Sequence, residues 1–151
     1  MKLSIKFALA SFILFISLSV SAQQTINMKL NHIAIYVEKL DKSTAFYKDV
    51  LQLNEIPEPF HDGLHTWFTL GPAGQLHLIQ GAKSGIQRDK NDHLCFSTPD
   101  IQVFIDNLQK HRVEYFDWPG NRGKITTRVD GVHQIYFQDP DGHWIEINDE
   151  Q

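Results

Sequence analysis

The sequence predicts an α+β fold in which two tandem βαβββ modules form one curved mixed sheet around a cavity, with the helices outside. The first observation is an internal repeat, because residues 62–79 and 130–147 share the order turn, strand, turn, strand. The second is that His32 and His93 each begin a strand-like alternation, which a helix-like stretch follows. A helix covers one face of such a module and leaves the other face open, which favours pairing of the two modules.

The first module, residues 28–80, begins with a predicted strand over residues 30–37. Its isoleucine and valine side chains share one face, and His32 lies on the opposite face. Asp41 is a suitable N-cap for a helix that extends to about Leu51. Alternation and turn residues predict three further strands, at residues 53–56, 65–70 and 75–79.

Residues 81–91 are polar and lack a period, which predicts a linker to the second module, residues 92–150. A strand at residues 93–97 opens this module. Thr98-Pro99 then suits the start of a helix whose apolar residues recur at helical spacing. Three more strands are predicted at residues 113–116, 133–138 and 144–147, with a loop over residues 117–129.

The first 22 residues have the features of a secretory signal peptide. Lys2 and Lys6 precede the apolar run of residues 7–20, and small residues end the segment at Ala22. An uncleaved membrane anchor is the alternative, but the run is shorter than the roughly 20 residues that a spanning helix needs. We therefore expect a periplasmic or secreted protein whose single domain comprises residues 23–151.

Composition narrows the range of partners. The formal charge of the whole chain is −4, and removal of two lysines with the signal peptide would make it more negative. No basic run remains, so neither nucleic acid nor a membrane surface is an expected partner after cleavage. Cys95 is the single cysteine, so no internal disulfide supports the fold.

Four polar residues occupy matched positions in the two modules: His32, His77, His93 and Glu146. Each lies on the face opposite the apolar side chains of its strand. Imidazole nitrogen and carboxylate oxygen are ligands for divalent transition metals, so we predict a metal site at these four residues. The alternative is that they are ordinary polar residues on the solvent side of an antiparallel sheet.

Other side chains are candidates for the surroundings of this site. His65 and Trp67 on one strand, and Tyr136 on its repeat, are candidates to contact a substrate, although ordinary sheet packing is the favoured explanation of any single one of them. Arg128 lies in the loop region that carries several cations and glycines, which could close over an anionic substrate; the alternative is a solvated charge cluster, which is the commoner case.

The chain resembles the vicinal oxygen chelate superfamily, which includes glyoxalases, bleomycin-resistance proteins, fosfomycin-resistance transferases and extradiol dioxygenases. The resemblance extends over residues 28–150. Its marks are Asn-His-Ile-Ala-Ile-Tyr-Val at 31–37, Ser-Thr-Ala-Phe-Tyr-Lys-Asp-Val-Leu at 43–51, Asp-His-Leu-Cys-Phe at 92–96 and Asp-Pro-Asp-Gly-His-Trp-Ile-Glu-Ile at 139–147. The order and spacing of these segments are specific for the fold.

The resemblance implies paired βαβββ modules around one divalent transition metal (Fe, Ni, Zn, Co or Mn), with ligands at His32, His93 and Glu146. At the position of His77, glyoxalase-like members carry Glu and epimerases carry Gln, so the chain departs from both. The resemblance also implies a small oxygen-rich substrate, Glu146 as general base, and a possible homodimer. Three functions follow: a glyoxalase-like lyase or isomerase, an Fe(II) ring-cleaving dioxygenase, or a ligand-sequestering protein without turnover.

Overall fold

A computed structural model of the chain describes residues 26–151, so the predicted signal peptide lies outside the described residues. The described part contains eight strands and two α-helices in two βαβββ series. The first series is β1 (His32–Val37), α1 (Leu40–Asp49), β2 (Asn54–Ile56), β3 (His65–Thr69) and β4 (Gln75–Gln80). The second is β5 (His93–Ser97), α2 (Ile101–Lys110), β6 (Thr126–Thr127), β7 (His133–Gln138) and β8 (Trp144–Asn148).

The two modules have the same sheet topology. Their strand orders are β1-β4-β3-β2 and β5-β8-β7-β6. In each sheet the first and last strands of the module run parallel, and the other neighbours are antiparallel. The predicted fold class of two tandem βαβββ modules is therefore confirmed. The strands divide into two four-stranded sheets and do not form a closed barrel in the described part of the chain.

The strand register confirms the internal repeat. His77 is the third residue of β4 and lies beside Ala34 of β1. Glu146 is the third residue of β8 and lies beside Cys95 of β5. The neighbours of Glu146 in its strand, Ile145 and Ile147, are buried in the core, so the carboxylate necessarily projects from the opposite face of the sheet.

The apolar faces of both sheets contribute to a common hydrophobic core. Each helix packs on the apolar face of its own sheet, and α1 also reaches the second module, where the Phe46 ring lies 6.3 Å from the Phe137 ring. The helices therefore lie on the side away from the candidate metal ligands. Buried members of this core include Val37, Tyr47, Phe68, Leu76, Leu78, Ile105, Leu108, Ile135, Phe137, Ile145 and Ile147.

A buried polar network joins α1 to the turn between β7 and β8. The Tyr47 hydroxyl donates to Asp139 Oδ2 at 3.0 Å, and His143 Nδ1 lies 2.8 Å from the same oxygen. The Ser43 hydroxyl donates to Asp141 Oδ2 at 2.6 Å. Burial and the Asp139 carboxylate hold the pKa of Tyr47 well above its ordinary value, so the phenol remains a donor. Hydrogen bonds between buried groups of two modules fix their relative position, because separating them would leave polar groups unpaired.

This junction fixes the end of β1 against the second module. The Glu38 amide, just after β1, donates to Asp141 Oδ1 at 2.6 Å, so the end of β1 lies beside the start of β8 and of its parallel neighbour β5. His32 begins β1 at its other end, which five steps of strand rise place roughly 17 Å away. Both apolar faces contribute to one core, and the polar face of each sheet is turned away from that core.

Three sequence-based boundaries were wrong. Lys39, without a side-chain cap, is the N-cap of α1, and Asp41 lies inside the first turn. Asp100 caps α2 by accepting from two backbone amides, so Thr98-Pro99 precedes the helix. Residues 113–115 form no strand, and Phe116 makes isolated bridges to Arg122 and Tyr136. The regular edge strand β6 lies instead in the predicted loop.

Neither helix in the described residues has the length and apolar character to cross a membrane.

Candidate metal centre

The second module surrounds the buried Glu146 carboxylate with hydrogen-bond donors. Glu146 is 6% exposed. Its Oε2 accepts from the Tyr136 hydroxyl at 2.6 Å, and its Oε1 accepts from Asn148 Nδ2 at 3.0 Å and from the Cys95 thiol at 3.4 Å. All four residues share the polar face of one sheet because they occupy alternate positions of β5, β7 and β8.

These donors keep Glu146 ionised. Burial alone raises the pKa of a carboxyl group, but the hydrogen bonds from Tyr136 and Asn148 outweigh burial and leave the pKa of Glu146 below its ordinary value. Burial and the adjacent carboxylate raise the pKa of Tyr136, so its hydroxyl keeps the proton that it donates. The site therefore contains an oriented carboxylate at neutral pH.

His93 presents one ring nitrogen to this carboxylate. Its Nδ1 lies 2.7 Å from the Lys90 carbonyl oxygen, which only accepts, so Nδ1 carries a proton. The opposite nitrogen, Nε2, lies 3.3 Å from Glu146 Oε2. In the neutral ring this places a nitrogen lone pair beside a carboxylate oxygen, an arrangement that a shared cation stabilises. A backbone carbonyl on the far nitrogen is also the usual way in which proteins orient a metal-binding histidine.

The first module repeats this orientation at His32. Its Nδ1 lies 2.8 Å from Asn31 Oδ1, which leaves Nε2 as the free nitrogen, as in His93. His32 and His93 are the first residues of β1 and β5, so matched positions carry matched tautomers. The donor set of two Nε2 atoms and one carboxylate fits a divalent transition metal.

His77 occupies the position of Glu146 but has different surroundings. Its ring is stacked between Trp67, at 3.9 Å and 2°, and His32, at 4.3 Å and 8°. Its Nε2 lies 2.8 Å from Gln75 Oε1. Burial, followed by the nearby His32 and His65, lowers the pKa of His77, so the stack contains a neutral imidazole at its centre.

The stack bears on the predicted role of His77 as a ligand. Nitrogen lone pairs lie in the plane of their ring, and the planes of His32 and His77 are nearly parallel. Two parallel rings cannot direct their lone pairs at one ion about 2.1 Å from each nitrogen. Coordination by both would require one ring to rotate out of the stack. The four-ligand set stays a prediction, and the geometry favours three ligands.

The structure brings the predicted ligands together as two pairs, His32 with His77 and His93 with Glu146. Within residues 26–151, no three potential metal-binding side chains lie in one group. Each pair belongs to the polar face of its own sheet. The predicted centre is therefore not assembled inside a single chain in this arrangement of modules.

The predicted substrate contacts fall in different places. Trp67 and Tyr136 are partners of His77 and Glu146 in the register of β3 with β4 and β7 with β8, so both lie beside the candidate ligands. His65 lies farther along β3, with Nδ1 2.9 Å from Asp62 Oδ1. Arg128 is paired with Asp130 at 2.6 Å and with Glu150 at 3.1 Å. No feature of the structure tests their roles in binding.

Three residues beside the candidate ligands were not predicted from the sequence: Asn148, which donates to Glu146, and Lys90 and Trp118, which contact each other. The sequence allowed a prediction for Asn148, since it follows Glu146 at the period of a strand. Lys90 lay in a stretch interpreted as a linker without structure, and Trp118 lay in a predicted loop. No sequence pattern connects these two residues, which only the folded chain brings together.

Comparison with known proteins agrees with this geometry. Residues 29–147 match the model of the Glyoxalase/Bleomycin resistance protein/Dioxygenase superfamily. The chain belongs to this superfamily. The predicted resemblance is thereby confirmed, since the vicinal oxygen chelate proteins are the members of this group.

Individual relatives of the superfamily cover most of the chain. The uncharacterized protein YwbC of Bacillus subtilis is 28% identical over 125 residues, which cover 79% of this chain and 95% of YwbC. The metallothiol transferase FosB of Shouchella clausii is 29% identical, with 79% and 78% covered. The solved structure of the oxidase ChaP-H1 has a TM-score of 0.67 at 25% identity, with 83% and 98% covered. These likenesses support a metal-dependent enzyme of this superfamily acting on a small molecule.

Proposed function

We propose that the protein is a divalent-metal-dependent, glyoxalase-like lyase or isomerase that acts on a small oxygen-rich molecule. The observation that carries the proposal is the His93–Glu146 pair, in which Nε2 lies 3.3 Å from an ionised carboxylate. The negative charge of the Glu146 carboxylate is not balanced within this pair unless a cation or a proton lies between the two atoms. The name of the FosB relative, a metallothiol transferase, agrees with a metal.

In this proposal His32, His93 and Glu146 hold the metal, which supplies Lewis-acid stabilisation to a substrate oxygen. Glu146 is also the group suited to move a proton, because its carboxylate is ionised at neutral pH. Tyr136 donates to Glu146 Oε2 and so orients the carboxylate. The core beneath β8 excludes water from the other side of the sheet.

We further propose that two copies of the chain form each site. The module junction through Asp139 and Asp141 joins α1 to the second module, and the two ligand pairs lie on different sheets. A second copy that pairs its first module with the second module of its neighbour supplies His32 to the His93–Glu146 pair. A symmetric dimer then contains two equivalent sites, because the exchange is reciprocal.

An Fe(II) dioxygenase is the second candidate. Two histidines and one carboxylate are the ligand set of many mononuclear non-haem iron enzymes, and the stacked His77 leaves three ligands of this kind. The structural relative ChaP-H1 is named an oxidase. In that case His77, which is neutral and lies beside His32, is suited to act as an acid or base.

The test between these reactions uses the metal-loaded protein, α-hydroxycarbonyl compounds and catechols, with product analysis and an oxygen electrode. A lyase or isomerase converts carbonyl substrates without oxygen uptake, and replacement of Glu146 by Gln is expected to lower kcat by roughly 10²- to 10⁴-fold. Stoichiometric oxygen uptake with a catechol would overturn this proposal in favour of the dioxygenase. Ligand binding without any turnover would favour the third function, a ligand-sequestering protein.

We also propose that the enzyme acts outside the cytoplasm, on the basis of the signal-like segment of residues 1–22. Expression of the full chain in an exporting bacterial host is expected to yield a periplasmic protein whose amino terminus is Gln23. Amino-terminal sequencing and mass spectrometry measure this directly. A full-length chain retained in the cytoplasm or the membrane fraction would contradict export.

A further inference from the structure

Lys90 is held in a box of aromatic rings beside the His93–Glu146 pair. Its ammonium nitrogen lies 4.9 Å from the centre of the Trp144 ring, 5.4 Å from that of Tyr136 and 5.7 Å from that of Trp118. Three rings around one cation attract it through their π faces, and this attraction increases as water is excluded. The position of the charge is therefore well defined although Lys90 lies in the linker between modules.

The ammonium group has hydrogen-bonding capacity left over. It donates to the carbonyl oxygens of Asp117 at 3.2 Å and Trp118 at 3.0 Å, and a lysine has three protons to donate. In the described part of the chain, no carboxylate forms a salt bridge with Lys90. The nearby Asp117 carboxylate accepts instead from the amides of Gly120 and Asn121.

Two loop arginines of the second module are neutralised by ion pairs. Arg122 is paired with Glu114 at 2.7 Å, and Arg128 is paired with two carboxylates. Lys90 differs from these arginines because its cation is surrounded by aromatic rings and backbone carbonyls instead of carboxylates. No carboxylate forms an ion pair with this ammonium group in the described residues, so the nearby carboxylates of Asp117 and Glu146 cancel only part of its attraction for an added anion.

The box opens on the same face as the candidate metal ligands. The Tyr136 ring that Lys90 contacts carries the hydroxyl that donates to Glu146. One phenol ring thus separates the cation from the carboxylate. The outer wall of the box, Trp118, is 44% exposed, so a planar molecule has access to an aromatic surface next to the charge.

We propose that Lys90 and Trp118 form a subsite for a planar substrate that carries a carboxylate, with its anionic group on the Lys90 ammonium and its flat part on Trp118. The proposal rests on the proposed function, since it names the substrate class of that same site. The vicinal oxygens of the substrate face Glu146, and the carboxylate faces the box on the other side of Tyr136.

The experiment measures binding of benzoate and of benzamide, a neutral molecule of the same shape, by quenching of tryptophan fluorescence in metal-loaded and chelator-treated protein. Benzoate is expected to bind about tenfold more tightly than benzamide, as a charge-assisted hydrogen bond predicts. Lys90→Met is expected to abolish this preference, and Lys90→Arg to retain most of it. Lys48→Met is the matched control, because Lys48 is an exposed lysine paired with Glu55 at 3.6 Å in the first module.

Equal affinities for benzoate and benzamide in the wild-type protein would overturn the proposal, as would a benzoate preference that survives in Lys90→Met. Loss of both ligands in Lys90→Met, with an unchanged melting temperature, would show that Lys90 only positions the linker and would also overturn it. Benzoate can also bind a metal through its carboxylate, so the preference must appear in the chelator-treated protein as well to be assigned to Lys90. Failure of the subsite is thereby separate from failure of the metal proposal, which metal analysis tests.

Discussion

Replacement of His93 by Ala is expected to remove the metal from the protein and with it the activity. The wild-type protein, purified without chelator, should contain about one equivalent of a transition metal per site. His93 supplies one of three proposed ligands, and even changes to groups behind the ligands cost roughly 10- to 100-fold in metal affinity. Loss of a direct ligand should exceed that range. Elemental analysis after gel filtration measures the metal content of both proteins.

The structure supplies the control for this experiment. His111 is an exposed histidine at the end of α2, so His111→Ala should keep its metal. Both variants should retain their secondary structure, because His93 is at the edge of a polar face and not in the core. Full metal content in His93→Ala would contradict the ligand assignment. A folded wild-type protein that binds no transition metal would favour the sequestering function.

The metal itself distinguishes the two candidate reactions. Iron as the main element in the wild-type protein would favour the dioxygenase, and nickel, zinc or cobalt would favour the lyase or isomerase. The distinction follows from chemistry, because oxygen activation needs a redox-active ion and carbonyl polarisation does not.

The sequence predicted the faces of the strands more reliably than the ends of the elements. Alternation of side chains is a property of every strand, so the placement of Glu146 opposite Ile145 and Ile147 followed from local sequence alone. The cap of α2 did not, because Thr98 and Asp100 are both good N-cap residues. The choice between them depends on the path of the chain after β5.

The arrangement of the modules was beyond the sequence for a physical reason. Alternation defines which face of each sheet is apolar, but two apolar faces can be buried by two helices separately or by one shared core. The contact of Phe46 with Phe137 and the hydrogen bond of Tyr47 to Asp139 decide this question, and they join residues that are about ninety positions apart. For the same reason Lys90 and Trp118 were not recognised as neighbours.

A mixture of two inactive variants, His32→Ala and Glu146→Gln, is expected to regain activity. If each site combines His32 of one copy with His93 and Glu146 of the other, a heterodimer has one site with both defects and one intact site. Random exchange makes about half of the dimers mixed, so the mixture should reach about a quarter of wild-type activity. The variants are coexpressed with different affinity tags, and the purified doubly tagged dimer, with one intact site of two, should reach about half of wild-type activity, against the level of each pure variant.

The matched control is a mixture of His93→Ala with Glu146→Gln. These two residues face each other at 3.3 Å within one module, so every site of a mixed dimer retains one defect and activity should stay at the level of the pure variants. Recovery in the first mixture but not in the second requires that His32 come from the other copy. Failure of the first mixture, in dimers shown to contain both chains, would mean that the modules rearrange to form the site within one chain.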